Sequence, residues 1–270
     1  MLLHALTMAS AHASTNYARL VNTLIGSGTT NGLASGYICP GATYPHGMVQ
    51  FTPTYFEKNA GFVANQYSGG GCGNLGNFPM FPLKGKLTAS PGNMRTPGYT
   101  VTDEQGHAGY YRAKVNGDVL AELTVAERSG MGRFTFPSDA RHGTVIIGSG
   151  IASTRISQAA VCMTDDSHFE GYATGGSFCG EAYPTPYKVY IAGEFSRPSC
   201  ERGIWRQDKI LTGSNFAEGP NSGFWFTFNA EQEKTLLYRF ALSYVSIENA
   251  KENLKADKLG WDFDDVATRA

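Results

Sequence analysis

No apolar run in this 270-residue chain approaches the roughly 20 residues that a membrane-spanning helix needs, so no segment is expected to cross a bilayer. The five cysteines, Cys39, Cys72, Cys162, Cys179 and Cys200, show no CxxC spacing, and the six histidines form neither HxH nor HExxH, which argues against a bound transition metal. A GxSxG elbow is missing, and no histidine has a recognisable partner for a Ser-His-Asp relay. Basic residues are scattered rather than clustered, and 22 Lys and Arg against 23 Asp and Glu give a net charge of −1. That balance leaves no nucleic-acid footprint and suits a neutral ligand. Internal repeats, long charge blocks and low-complexity spacers are also lacking, which points to one domain with a connector.

What is present is a vocabulary of turns and half-buried strands. Hydrophobic residues make up 41% of the chain and charged residues 17%, with 33 glycines and 14 tyrosines, a composition able to bury a substantial core. From Tyr99 to Val245 the pattern has a period of two. Ala121, Leu123 and Val125 alternate with Glu122, Thr124 and Ala126, and Phe134 and Phe136 flank Thr135. Phe224, Phe226 and Phe228 share a face opposite Trp225 and Thr227, and Leu236, Tyr238, Phe240, Leu242 and Tyr244 repeat that arrangement. Asn116-Gly117, Ala108-Gly109 and Thr174-Gly175-Gly176 read as turns between the runs. Their spacing predicts a mainly β fold, an antiparallel two-sheet β-sandwich over residues 17–245, rather than alternating βα units. The period changes only afterwards. Ile247, Ala250 and Leu254 predict a helix opened by Ser246, closed by Gly260 and packed on the sandwich edge. Phe263, Val266, Ala267 and Ala270 predict a second helix behind an Asp262 cap, so that 246–270 forms a helical linker.

The segment SGGGCGNLGNFPMFP, Ser68 to Pro82, carries the strongest chemical signal. Glycine lets backbone approach a ligand closely, and Asn74 and Asn77 each offer an amide that donates and accepts, as sugar hydroxyls require. A plain turn is the competing reading, and without a strand-then-helix context the stretch is not a phosphate loop. The surrounding loop from Asn59 to Gly76 is the expected mobile presenter of binding groups on a rigid scaffold.

Preceded by GYICPGATYPHGMVQFTP, Gly36 to Pro53, this loop resembles the N-terminal domain of glycoside hydrolase family 92, the calcium-dependent exo-α-mannosidases. VNTLIGSG near the start, AELTVAERSGMGRFTFP at Ala121 to Pro137, GGSFCG at Gly175 to Gly180 and VYIAGEFSRP at Val189 to Pro198 continue the likeness. SYVSIENAKENLKADKLGWDFDDVATRA, Ser243 to Ala270, extends it, so that it covers nearly everything after Tyr17. The resemblance implies a galactose-mutarotase-like sandwich whose Cys72, Gly73, Asn74 and Asn77 contact a terminal mannose. Many relatives carry aspartate where Asn74 or Asn77 stands here, which leaves neutral amide recognition in this chain. It further implies that the general acid, the general base and the Ca²⁺ ligands lie in an (α/α) barrel domain, and that the helix from Asp262 to Ala270 is cut short of that partner. The expected function is then the sugar-binding half of an inverting exo-α-mannosidase of α-1,2 type, trimming mannose-containing glycans and inactive as this chain alone. The alternative is a free-standing carbohydrate-binding sandwich without catalysis.

The chain's own carboxylates agree with an absent catalytic pair. Glycoside hydrolysis with inversion needs two of them, roughly 6.5–9.5 Å apart, yet Asp165 and Asp166 read as a turn in TDDS and Asp262, Asp264 and Asp265 as a helix start. Glu122 and Glu127 read as outward strand positions, and His46 in TYPHGM as a structural histidine or a group near the cleft. Residues 1–13, MLLHALTMASAHA, have a short apolar run ending in Ala11-His12-Ala13, so a secreted or periplasmic destination is expected. One or two disulfides would follow from export, with an odd thiol left over for which Cys72 is the candidate.

Overall fold

The computed structural model of the chain describes residues 17–27, 29–30, 33–34, 36, 38–54, 61–68, 75–92, 94, 99–150, 156–178 and 183–270. In chain order the strands are β1 (Thr29–Thr30), β2 (Leu33–Ala34), β3 (Ala42–Thr43), β4 (Gln50–Pro53), β5 (Phe62–Val63), β6 (Met80–Lys84), β7 (Val101–His107), β8 (Tyr110–Val115), β9 (Val119–Val125) and β10 (Ser129–Thr135). They continue with β11 (His142–Gly148), β12 (Ile156–Met163), β13 (His168–Phe178), β14 (Tyr183–Phe195), β15 (Glu201–Arg206), β16 (Lys209–Thr212), β17 (Phe216–Glu218), β18 (Ser222–Asn229) and β19 (Thr235–Ser243). Helices α1 (Ile247–Ala256) and α2 (Phe263–Arg269) follow β19. Among the described residues, one sheet runs β17-β12-β13-β14-β19-β10-β9-β8-β7 and the other β16-β15-β18-β11-β6-β5-β4-β3, with a separate β1-β2 pair. The named strand pairs are antiparallel, as the period-two pattern and the Asn116-Gly117 turn predict.

Alternation delivers aromatic rings from both sheets to a common interior. Phe224, Phe226 and Phe228 of β18 face Phe169, Phe195 and Tyr238 of the longer sheet, with Tyr238 stacked on Phe169 at 5.7 Å and Phe195 5.0 Å from both Phe226 and Phe228. Phe51 closes the far end against Phe240 at 5.1 Å in an edge-on arrangement. Each fully buried ring of this kind contributes roughly 1.5–3 kcal/mol, so the sandwich stands on its own core. The other face of β18 is buried too. Trp225 and Trp205 lie within it, and a Cβ at Gly223 would meet the Ile147 carbonyl at 2.0 Å and the Trp205 indole nitrogen at 2.7 Å.

The helices sit differently from expectation. Rather than packing on an edge, α1 covers β14 and β19, and α2 covers β9 and β10, all on the outer face of the longer sheet. Met131, Leu259, Phe263 and Val266 form a second, small core beneath them. Ser246 and Asp262 cap as predicted, accepting from Asn249 N and Asp265 N at 3.0 Å each. Gly260 does not close α1. The helix ends at Ala256 because Asp257 turns its carboxylate into the β9–β10 turn, where it accepts from Arg128 N at 2.7 Å and Ser129 Oγ at 2.5 Å, and Lys258 adopts φ +51°. Glu122 faces out of the sandwich, as its strand position predicts, but it is buried. It is 8% exposed, held by Arg133 Nε at 2.7 Å and Tyr110 Oη at 2.8 Å, because α2 lies over its strand. Tyr244 falls just past β19 and is exposed.

Candidate functional site

Of the residues singled out in the glycine-rich loop, Cys72, Gly73 and Asn74 lie outside the described residues; Asn77 and both flanks of the loop lie within them. The N-terminal flank is fixed at Ser68. Its Oγ accepts from Cys39 N and from Gln50 Nε2, both at 3.0 Å, tying the loop to the segment before β3 and to the start of β4. Burial pushes the neighbouring Cys39 thiol up to about 11, against a smaller lowering by its contact with Ser68, so the sulfur stays protonated at neutral pH. Cys39, Cys162 and Cys200 are free thiols.

The C-terminal flank is fixed at Asn77, which is 0% exposed. Asn65 Oδ1 accepts from Gly76 N at 3.2 Å and Asn77 N at 2.8 Å, while Asn65 Nδ2 donates to Asn77 Oδ1 at 3.0 Å. Tyr187 Oη donates to the same oxygen at 2.8 Å. Burial, and secondarily the nearby Tyr244, push the Tyr187 hydroxyl up, so it remains a donor. Asn77 Nδ2 has no hydrogen-bond partner among the described residues. A bridge to Gly150 completes the setting. The backbone here is bent sharply, with φ of +38° at Leu75, +90° at Gly76 and +52° at Phe78. For Leu75 and Phe78 this left-handed conformation costs of order 1–2 kcal/mol each. The buried hydrogen bonds of Asn65 and the 2% exposed Phe78 ring offset it.

Tyr187 reaches this node because of Gly175. Thr174-Gly175-Gly176 is not a turn but part of β13, where the register shifts between Gly175 and Ser177. A Cβ at Gly175 would stand 2.4 Å from Tyr187 Cζ and Oη, so the glycine makes room for the ring to cross the strand. Sequence reasoning missed both Asn65 and Tyr187. Their one local signal is the amide pair Asn65-Gln66 directly after apolar Phe62, Val63 and Ala64.

Many of the described carboxylates are engaged elsewhere. Glu122 and Asp264 bind Arg133, Glu170 binds Lys251, Glu194 binds Arg239, and Asp257 caps the β9–β10 turn. Asp165 does hold a turn, accepting from Ser167 N at 2.7 Å and His168 N at 2.8 Å; burial opposes its ionisation, yet these donors and His168 keep its pKa low. Glu127 is exposed beside Arg128, and His46 is an exposed turn residue at φ +58°. Among the described residues no group of three or more His, Cys, Asp or Glu side chains is placed to hold a metal ion.

Comparison with known proteins identifies the scaffold. Residues 20–243 match the sequence profile of the glycosyl hydrolase family 92 N-terminal domain. At 25% identity the chain is similar to an uncharacterized secreted glycosidase of Arthroderma benhamiae, the match covering 93% of this chain and 36% of that protein. Its fold is similar to that of a family GH92 α-mannosidase from Bacteroides thetaiotaomicron, with a TM-score of 0.77 and 24% identity over 93% of this chain and 36% of the other. A family GH92 inverting mannosidase from the same bacterium gives a TM-score of 0.78 and 19% identity over 95% of this chain and 35% of its own. The chain therefore spans about a third of the length of these relatives.

Proposed function

Since this chain belongs to glycosyl hydrolase family 92, matching its N-terminal domain, we propose that it forms the sugar-recognising side of an inverting, exo-acting α-mannosidase of α-1,2 preference. The observation that carries this reading is the double anchoring of the glycine-rich loop, by Cys39 and Gln50 at Ser68 and by Asn65 and Tyr187 at Asn77. In this proposal Cys72, Gly73 and Asn74, between these flanks, contact a terminal mannose. Asn77 Nδ2 adds one buried donor without an acceptor among the described residues. An unsatisfied donor of this kind costs roughly 1–3 kcal/mol, so it gains from any acceptor brought by a ligand.

In this proposal the general acid, the general base and calcium belong to an (α/α) barrel partner beyond the 270 residues. Among the described residues no cluster of three or more His, Cys, Asp or Glu side chains offers the start of a Ca²⁺ site, which calls for 6–8 oxygen ligands, and Glu122, Glu170, Glu194 and Asp257 are committed to arginine, lysine and turn donors. The barrel would supply the pair of carboxyl groups for inversion, and this chain would bind and orient the terminal sugar. Export is part of the same proposal: a relative is named a secreted glycosidase, and no described helix is long and apolar enough to cross a membrane.

Two measurements test it. With Ca²⁺ and an α-1,2-mannobiose substrate, this chain alone should release no mannose, whereas a longer chain carrying the barrel should; turnover by the 270 residues alone overturns the placement of the catalytic groups. One wall of a cleft makes few contacts, so mannose should bind no tighter than about millimolar, worth about 4 kcal/mol. Micromolar binding by the isolated chain would instead establish a free-standing carbohydrate-binding module.

A further inference from the structure

A cavity of about 550 Å³ lies away from the loop, on the outer face of the longer sheet between α1 and strands β13, β14 and β19. That volume falls within the range of small-molecule sites, roughly 300–1,000 Å³. Its two walls differ in charge. Lys251 and Lys255, one turn apart on α1, and Lys258 just past its end line the helix side. Asp165, Glu170 and Glu194 line the sheet side together with His168 and Arg239. Each of these carboxylates already has a cationic or imidazole partner. Lys251 Nζ lies 2.5 Å from Glu170 and Arg239 Nη2 2.7 Å from Glu194. His168 bridges Asp165 and Glu194, with Nδ1 2.8 Å from the former and Nε2 3.1 Å from the latter.

Lys255 and Lys258, by contrast, form no ion pair among the described residues. The helix side of the cavity therefore carries two exposed ammonium groups without a carboxylate partner among the described residues, and the four Lys and Arg of the lining outnumber its three carboxylates, above an apolar floor that includes buried Ala192 and Leu259. A neutral sugar would leave both unpaired, whereas a ligand with one oxyanion would satisfy both through charge-assisted hydrogen bonds. Hydroxyls on the remainder of the ligand would meet the donors and acceptors of the His168, Glu194 and Glu170 side.

We propose that this cavity binds a monosaccharide-sized anion, a sugar whose carboxylate or phosphate sits between Lys255 and Lys258. The site is separate from the mannose-facing loop and does not depend on what that loop binds. Amide shift perturbation in ¹H–¹⁵N spectra of the 270-residue chain, titrated with glucuronate, glucose 6-phosphate, inorganic phosphate and glucose, tests it. The expected result is saturable shifts at Glu170, Ala192 to Glu194 and Lys255 to Leu259 for at least one anionic sugar, with affinity roughly tenfold above that of glucose. Replacing both Lys255→Gln and Lys258→Gln should lower that affinity about tenfold, and raising salt from about 0.05 to about 0.5 M should weaken it several-fold. Both lysines are exposed, so an unchanged spectrum elsewhere verifies the fold, and Lys209→Gln on β16 should bind as the parent does. Absence of binding, affinity equal to that of glucose, shifts confined to the loop flanks, or indifference to the double substitution overturns the site. Inorganic phosphate binding as tightly as glucose 6-phosphate overturns the assignment of a sugar.

Discussion

Replacing Asn65 by alanine should loosen the C-terminal flank of the glycine-rich loop while leaving the sandwich core intact. Three hydrogen bonds leave with the amide: those accepted from Gly76 N at 3.2 Å and Asn77 N at 2.8 Å, and the one donated to Asn77 Oδ1 at 3.0 Å. Asn65 is 4% exposed and Asn77 0%, so water does not take over these roles. At about 1 kcal/mol net per bond, the loss is about 3 kcal/mol. Tyr187→Phe removes only the 2.8 Å bond to Asn77 Oδ1, which still receives Asn65 Nδ2, so its cost is about 1 kcal/mol. Making both changes strips that oxygen of both side-chain donors, and the combined loss should exceed the sum. Urea unfolding measures the global effect, and amide hydrogen exchange at Gly76 and Asn77 the local one. Protection there should fall on the order of a hundredfold in Asn65→Ala if opening of the flank governs exchange. Should Asn65→Ala cost no more than Tyr187→Phe and leave exchange at both amides unchanged, the anchoring argument is refuted.

Gly175→Ala places a methyl 2.4 Å from Tyr187 Cζ, so it should destabilise by roughly 1–3 kcal/mol, and adding Tyr187→Ala should relieve part of that loss in thermal unfolding. Asp257→Ala leaves the buried Ser129 hydroxyl and Arg128 N–H without their acceptor; about 3 kcal/mol should be lost by urea titration, and Asp257→Asn, which keeps an acceptor, should lose less. Cys39 is held protonated in the fold, up to about 11 against an ordinary value of 9.0, so its contribution to stability is full below pH 9 and declines as pH rises towards 11. The difference in unfolding midpoint between the parent and Cys39→Ala should shrink over that window, and at pH 8 a thiol reagent should label exposed Cys200 far faster than Cys39.

Local physics made much of the fold legible. The alternation of Phe224, Phe226 and Phe228 reports a strand between two layers, and Ser246 and Asp262 report helix starts through hydrogen bonds spanning three residues. The outward face of Glu122 was legible but its burial was not, because what covers it, Arg133 and α2, is contributed by a neighbouring strand and by a helix far along the chain. Gly175 misled for a related reason, since a glycine making room for a ring on the next strand looks in sequence like a glycine making a turn. At the candidate site the sequence pointed to Asn77 by its company of glycines, but not to Asn65 or to Tyr187, which lies 110 positions away and approaches only through sheet register. The charged cavity beneath α1 was invisible for the same cause: its walls come from β13, β14, β19 and the helix, and no contiguous stretch contains them.

Ser68 and Asn77 are secured by different sets of partners among the described residues. Freeing one flank should therefore leave the other in place, so Gln50→Ala, which removes a donor to Ser68, should leave the hydrogen bonds of Asn65 to Gly76 and Asn77 intact.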